Sequence, residues 1–142
     1  MKIAVDFDGT IVVHKYPAIG EEMLFAIETL KELQRQQHQI ILWTFRAGKE
    51  LEEAVEYCRQ RGFEFYAVNK NYPEEVFDET ISRKINADLY IDDHNFGGFP
   101  GWSVVYEMIV SGTSFDPFSD KPNDPQKRGL AGKLKGLFSG GK

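Results

Sequence analysis

Short apolar runs, each followed by polar or turn-forming residues, recur along the chain. They occupy residues 3–7, 39–44, 63–68 and 87–91. Apolar runs of this length with such boundaries are typical of β-strands that are buried on both faces. The pattern therefore predicts four buried strands.

Between these runs, apolar residues recur at the three- and four-residue spacing of an amphipathic helix. The spacing predicts helices over residues 21–37, 48–61 and 102–110, with Gly62 stopping the second. The Val-Val-Tyr sequence inside the third leaves a strand open as the alternative there. The connecting residues 12–20, 69–80 and 96–101 are predicted to be loops, the middle one with at most a turn of helix.

Alternating strands and helices predict an α/β fold, a three-layer Rossmann-like parallel sheet with helices on both faces. In such sheets, ligands bind beyond the carboxyl ends of the strands. Each predicted strand is followed there by polar residues, which we expect to converge on one edge of the sheet. These are Asp6 and Asp8, Thr44 and Arg46, Asn69 and Lys70, and Asp92 and Asp93.

Composition narrows the class of protein. With 142 residues, the chain is long enough for one globular domain with a substantial core. Its net charge of -5 argues against a general nucleic-acid binder. One cysteine, Cys58, excludes an internal disulfide, and we expect it to pack in the core. No apolar run is long enough for a signal peptide or a membrane span, so we expect a cytoplasmic protein.

The C-terminal part has a different composition, which divides the chain into a core over residues 1–112 and a flexible basic tail over residues 113–142. Residues 119–142 contain six Lys or Arg against two Asp, which leaves a charge of +4. The alternative is a short amphipathic basic helix that contacts a membrane surface or a partner. Its apolar residues would be Leu130, Leu134, Leu137 and Phe138.

The most informative motif is Asp6-Phe7-Asp8-Gly9-Thr10. Carboxylates two positions apart on a strand point to the same face, and their repulsion is costly unless a cation or a shared proton offsets it. Mg²⁺ prefers oxygen ligands and is often held by one or two carboxylates together with a substrate phosphate. The alternative is an acidic turn after a strand, because Asp-Gly is a common turn pair.

This motif resembles motif I of the haloacid dehalogenase (HAD) superfamily. The other motifs of that family have counterparts in the expected order: Thr44 at the end of a strand, Lys84 ahead of the fourth strand, and Asp92-Asp93 after it. The combination is similar to small bacterial HAD-like phosphatases. The spacings leave no room for an inserted cap domain, so the resemblance is to capless members with an open active site.

The resemblance implies a Mg²⁺-dependent phosphohydrolase. Asp6 would form an aspartyl-phosphate, and Asp8 would be the general acid and base. Thr44 would donate a hydrogen bond to the phosphoryl group, and Lys84 would neutralise charge. The implied metal ligands are Asp6, the carbonyl of Asp8 and Asp93, with Asp92 acting through water. Backbone N–H groups over residues 7–10, including those of Gly9 and Thr10, would form an anion nest.

Several assignments stay open. Lys70 and Arg83 are alternatives to Lys84. Arg46 either clamps a second anionic group of the substrate or is an exposed surface residue. Asn69 and Lys70 either contact substrate or order a loop. His94 either contacts substrate or fills a polar loop position, and His14 and Tyr16 lie on the only segment that could act as a flap. Phe99 and Trp102 are expected to pack.

Other functions compete with hydrolysis. A phosphotransferase would use the same aspartyl-phosphate, and an inactive module would only bind phosphate or Mg²⁺. A receiver-type signalling domain carries its phosphorylated aspartate after the third strand, where this chain has Asn69-Lys70 instead. The substrate is expected to be a phosphorylated metabolite such as a sugar phosphate or nucleotide. An open site also suits a larger substrate or closure by a second subunit, which makes a homo-oligomer possible.

Overall fold

A computed structural model describes residues 1–113 of the chain, which form an α/β fold with a four-stranded parallel sheet. The elements in chain order are β1 (Lys2–Val5), α1 (Ala26–Arg35), β2 (Gln39–Leu42), α2 (Gly48–Gln60), β3 (Ala67–Val68), β4 (Leu89–Ile91) and α3 (Trp102–Ser111). The strand order is β3-β2-β1-β4, with β1 and β2 in the centre. The predicted α/β class and the parallel sheet are confirmed.

The strands are shorter than predicted, and α1 begins five residues late. The reason lies in residues 21–25, which are held by distant parts of the chain. Glu22 forms an antiparallel bridge with Val12, and the Met23 N–H donates to the Ile11 carbonyl at 2.8 Å. Phe25 has a left-handed backbone with φ of 65°, which a helix cannot include. The predicted helix at 102–110 is confirmed as α3, and the strand alternative there is wrong.

Side chains alternate strictly between the two faces of the sheet. On one face, Ile3 and Val5 of β1 join a large buried cluster to which α1, α2 and α3 all contribute. On the other face, Ala4 and Ile41 form a smaller cluster with Ile85, which comes from the connection between β3 and β4. In residues 1–113, helices therefore cover one face, and this connection packs on the other.

The connection over residues 69–88 contains no helix or strand. Pro73 and a run of acidic residues, Glu74, Glu75, Asp78 and Glu79, disfavour a helix with an apolar stripe there. The hydroxyl of Tyr90 donates to the Ile85 carbonyl and ties the connection to β4. The expectation of helices on both faces is thus corrected for the described residues.

Two packing predictions are confirmed. Cys58 is fully buried in the main core, and burial raises the pKa of its thiol to about 12. Trp102 is also buried, its ring meets Phe99 edge-on, and its indole N–H donates to the Thr10 carbonyl at 2.8 Å. This last bond joins α3 to the turn after β1.

None of the helices in residues 1–113 combines the length and hydropathy that a bilayer crossing requires. The basic tail and the alternative helix around Leu130 to Phe138 lie outside the described residues.

Candidate functional site

The neighbouring strands β1 and β4 place three carboxylates together. Val5, the last residue of β1, lies opposite Ile91, the last residue of β4, in the parallel register. Asp6 after β1 and Asp92 and Asp93 after β4 therefore lie at the same edge of the sheet. The Asp6 N–H donates to the Ile91 carbonyl at 2.9 Å and continues the ladder by one residue. Asp6, Asp92 and Asp93 each offer an oxygen within 4.8 Å of the others, which is the predicted convergence.

The pKa of Asp6 is raised from its ordinary value of 3.8 to about 7. Burial of the carboxyl group is the main cause, and the charges of Asp92, Asp93 and Asp8 add to it. A hydrogen bond from the Phe7 N–H opposes the shift but is outweighed. The cluster therefore disfavours full ionisation without a cation, whereas a bound divalent ion would reverse that preference.

This shift predicts how the stability of the metal-free protein depends on pH. Folded Asp6 holds its proton up to about pH 7, whereas the unfolded residue loses it near 3.8. The stabilising contribution of Asp6 is thus fully present below pH 3.8 and is lost as the pH rises through 7. In EDTA, Asp6→Asn should gain stability relative to wild type as the pH rises, by about 1–2 kcal/mol after solvent screening. Urea denaturation across this range measures the difference, and a pH-independent difference would contradict the assignment.

Gly9 and Thr10 hold Asp93 in place. Gly9 has φ of 85°, and a Cβ there would lie 2.2 Å from the Asp93 Oδ2. The hydroxyl of buried Thr10 accepts a hydrogen bond from the Asp93 N–H at 3.1 Å. The N–H groups of Gly9 and Thr10 donate to the carbonyls of Val12 and Phe7. The expected anion nest is corrected accordingly, because these two donors are used inside the turn.

Gly9→Ala should displace Asp93 and weaken, by about tenfold or more, the binding of a divalent cation offered to the three carboxylates. The left-handed backbone adds a stability loss of about 1–2 kcal/mol. Gly98→Ala is the matched control, because Gly98 has φ of 75° and open space where its Cβ would lie. Thermal denaturation and calorimetric Mg²⁺ titration separate the two effects. Equal Mg²⁺ affinities for the two variants would show that Gly9 does not position Asp93.

Asp8 is bound by Arg46, whose guanidinium is completely buried. The Arg46 Nε and Nη2 donate to the two Asp8 oxygens, each at 2.7 Å. Nη1 and Nη2 also donate to the carbonyls of Pro17 and Ala18, at 3.0 and 2.8 Å. The hydrogen bonds to Asp8 raise the pKa of Arg46 above its ordinary value, so that the guanidinium stays charged.

The expected role of Arg46 as a clamp for substrate is therefore corrected. All three of its side-chain nitrogens bind groups of the protein. Its guanidinium also lies 5.0 Å from the ring centroid of Phe7 and 5.3 Å from that of Tyr16. Arg46 joins Asp8 to the loop over residues 13–20, which the sequence pattern did not reveal.

Thr44 lies at the predicted position beyond β2. Its N–H donates to the Asn69 Oδ1 at 2.9 Å, and its hydroxyl oxygen accepts from the Arg46 N–H at 3.2 Å. The hydroxyl proton is thus available for another acceptor. Asn69 orders the end of β2, which is the loop role left open for it.

The three residues considered for charge neutralisation, Lys84, Arg83 and Lys70, make their contacts outside the cavity that contains Asp6. The Lys84 ammonium is 5.2 Å from the ring centroid of Tyr90, and the Arg83 guanidinium is 5.7 Å from that of Phe77. Lys70 donates to the carbonyl of Pro73. Among the residues that the structure describes, those that line the cavity containing Asp6 do not include Lys84, Arg83 or Lys70.

That cavity has a volume of about 420 Å³, within the range of small-molecule sites. Its polar lining consists of Asp6, Asp8, Thr44, Asp92, Asp93, His14 and His94, and its aromatic lining consists of Tyr16, Trp43 and Phe45. The Nε2 of exposed His94 is 3.6 Å from the Asp93 Oδ2. Sequence reasoning missed Trp43 and Phe45, although their positions on either side of Thr44 could have indicated them.

Comparison with known proteins identifies one close relative of known structure. This is a conserved protein from Bacteroides thetaiotaomicron, which is 57% identical, with a TM-score of 0.79 over 85% of this chain and 98% of that one. The chain belongs to the family of that protein. Its description names no activity, so the relationship supports the fold and not a reaction. No protein-family model and no curated protein match the sequence.

Proposed function

We propose that this protein is a Mg²⁺-dependent phosphohydrolase that acts through an aspartyl-phosphate on Asp6. The observation that carries the proposal is the convergence of Asp6, Asp92 and Asp93 at the carboxyl edge of a parallel sheet. Asp8 and Thr44 line the same cavity. The resemblance to capless HAD phosphatases supplies the reaction, and the proposed site of action is the reducing cytoplasm.

The donor set suits a magnesium ion. Three carboxylates supply only hard oxygen ligands. Burial is the main cause of the raised pKa of Asp6, and the neighbouring aspartates add a repulsion that a cation would relieve. The proposed ligands are Asp6, Asp93 and the Asp8 carbonyl, with Asp92 acting through water. When bound, Mg²⁺ would screen the charges of the nucleophile and the phosphate.

The proposed reaction has two steps. An Asp6 oxygen forms a bond to phosphorus while the bond to the leaving oxygen breaks, and Asp8 gives that oxygen a proton. Asp8 then takes a proton from water, whose oxygen displaces the phosphate from Asp6. Both Asp8 oxygens accept hydrogen bonds from Arg46, and each keeps a lone pair for the proton. Thr44 would donate its hydroxyl proton to a phosphoryl oxygen.

The proposed role of Lys84, charge neutralisation, requires its side chain to move. Its ammonium rests on Tyr90, on the face of the sheet opposite the helices. A lysine has a flexible four-carbon stem, so we propose that Lys84 turns towards Asp6 when a phosphate binds. The proposed enzyme acts without a cap domain: residues 1–113 contain only the four strands and three helices of the core, which leaves the cavity open to solvent and to large substrates.

The direct test is phosphate release from a panel of phosphorylated metabolites, with Mg²⁺ or with EDTA. Release that requires Mg²⁺ supports the proposal. Mg²⁺ binding without release from any ester would instead favour an inactive binding module, and transfer of phosphate to an added alcohol would favour a phosphotransferase.

A further inference from the structure

Two exposed aromatic side chains, Tyr16 and Phe45, line the cavity that contains Asp6. Phe45 is 87% exposed, and Tyr16 is 43% exposed. Their ring centroids are 5.9 Å apart with an interplanar angle of 70°, an edge-to-face contact. Large apolar side chains so exposed beside a cluster of carboxylates offer apolar area that a ligand can cover.

The buried Arg46 holds this pair in position. Its guanidinium lies 5.3 Å from the Tyr16 ring centroid and also binds the carbonyls of Pro17 and Ala18. The backbone on both sides of Phe45 is held in place, because the N–H groups of Thr44 and Arg46 are both hydrogen-bonded. The backbone that carries the two rings is therefore preorganised, which lowers the entropy cost of binding.

We propose that Tyr16 and Phe45 bind the organic part of the substrate, and that the preferred substrates are phosphate monoesters carrying an aromatic ring. This inference rests on the proposed phosphohydrolase function. The ring would stack on Phe45 while the phosphate reaches Asp6. A nucleobase and a simple aryl group share this chemistry.

The charges of the cavity favour an uncharged organic part. Asp6, Asp8, Asp92 and Asp93 all line it, and the guanidinium of Arg46 is occupied by Asp8. Among the described residues, none of Lys70, Arg83 and Lys84 lines the cavity, and its two histidines, His14 and His94, are outnumbered by the four carboxylates. A second anionic group on the substrate would therefore meet repulsion, whereas an aromatic ring gains contact with Phe45 at no electrostatic cost.

The test compares benzyl phosphate with cyclohexylmethyl phosphate in Mg²⁺. Both are esters of primary alcohols of similar size, and they differ in the aromatic ring. Wild type should prefer the benzyl ester by about two- to tenfold in kcat/KM, the range of an aromatic pair. Phe45→Leu should reduce this ratio towards one. Phe77→Leu is the control, because Phe77 is exposed but does not line the cavity.

A second pair, adenosine 5′-monophosphate and ribose 5-phosphate, identifies the source of the ring. A larger preference in this pair than in the benzyl pair assigns the site to a nucleobase, and a smaller one assigns it to an aryl group. A wild-type ratio near one in both pairs overturns the inference, as does a ratio that Phe45→Leu leaves unchanged.

A failure of the proposed reaction is distinguishable from a failure of this inference. If no ester releases phosphate, the proposed function fails, and binding then tests the aromatic pair by itself. Benzylphosphonate should bind in Mg²⁺ about two- to tenfold more tightly than cyclohexylmethylphosphonate, and Phe45→Leu should remove the difference. Equal affinities for the two phosphonates overturn the inference without reference to turnover.

Discussion

Asp6→Asn is expected to reduce phosphate release by a factor on the order of 10³ or more, the scale of removing a nucleophile that acts within a catalytic unit. A neutral amide oxygen is a poor nucleophile and a weaker ligand for Mg²⁺ than a carboxylate. The fold should be retained, because asparagine has nearly the same shape and the Asp6 N–H would still bind the Ile91 carbonyl. Steady-state phosphate release in Mg²⁺ measures the effect.

The same substitution should stabilise the metal-free protein near neutral pH, since it removes a carboxyl group whose ionisation is opposed by burial and by three other aspartates. A loss of activity together with a gain of stability separates a catalytic role from a structural one. Asp88→Asn is the matched control, because the Asp88 carboxylate binds the Lys2 N–H at the amino end of the sheet, away from the site. If Asp6→Asn keeps more than about a tenth of wild-type activity, Asp6 is not the nucleophile.

The edge of the sheet that carries the site could be predicted from the sequence because the reasoning there is local. A short apolar run with a carboxylate directly after it indicates where a strand ends and which side chain lies beyond that end, as at Asp6 and Asp92. Parallel neighbouring strands then bring those ends together, as the register of β1 with β4 does. The position of Thr44 beyond β2 is predicted by the same argument.

The errors concern interactions between residues that are distant in the chain. Helix α1 begins late because Glu22 and Met23 bind residues of the turn after β1, which no periodicity reveals. The connection that carries Lys84 has no regular structure, so nothing in its spacing fixes where that side chain points. The sequence indicates Arg46 as a site residue, but its partner Asp8 lies 38 positions away and could not be inferred.

Arg46→Met is expected to destabilise the protein by about 3 kcal/mol, the scale of removing one member of a buried ion pair. It leaves Asp8 without its partner and removes the donors to the Pro17 and Ala18 carbonyls. Urea denaturation of Arg46→Met, Asp8→Asn and the double variant tests the coupling. The double variant should be less destabilised than the sum of the single ones, by about 1–3 kcal/mol. Additive effects would mean that the pair contributes little to stability.

Arg46→Lys distinguishes the two roles considered for this residue. Lysine keeps the positive charge but cannot reproduce the two parallel hydrogen bonds to Asp8. If Arg46 orients Asp8, the lysine variant should lose about tenfold or more in kcat with little change in KM, because the guanidinium does not touch the substrate. If Arg46 instead clamps an anionic group of the substrate, KM should rise while kcat is largely kept. The hydrogen bonds to both Asp8 oxygens favour the first outcome, since the buried guanidinium would have to give up both of them in order to reach a ligand.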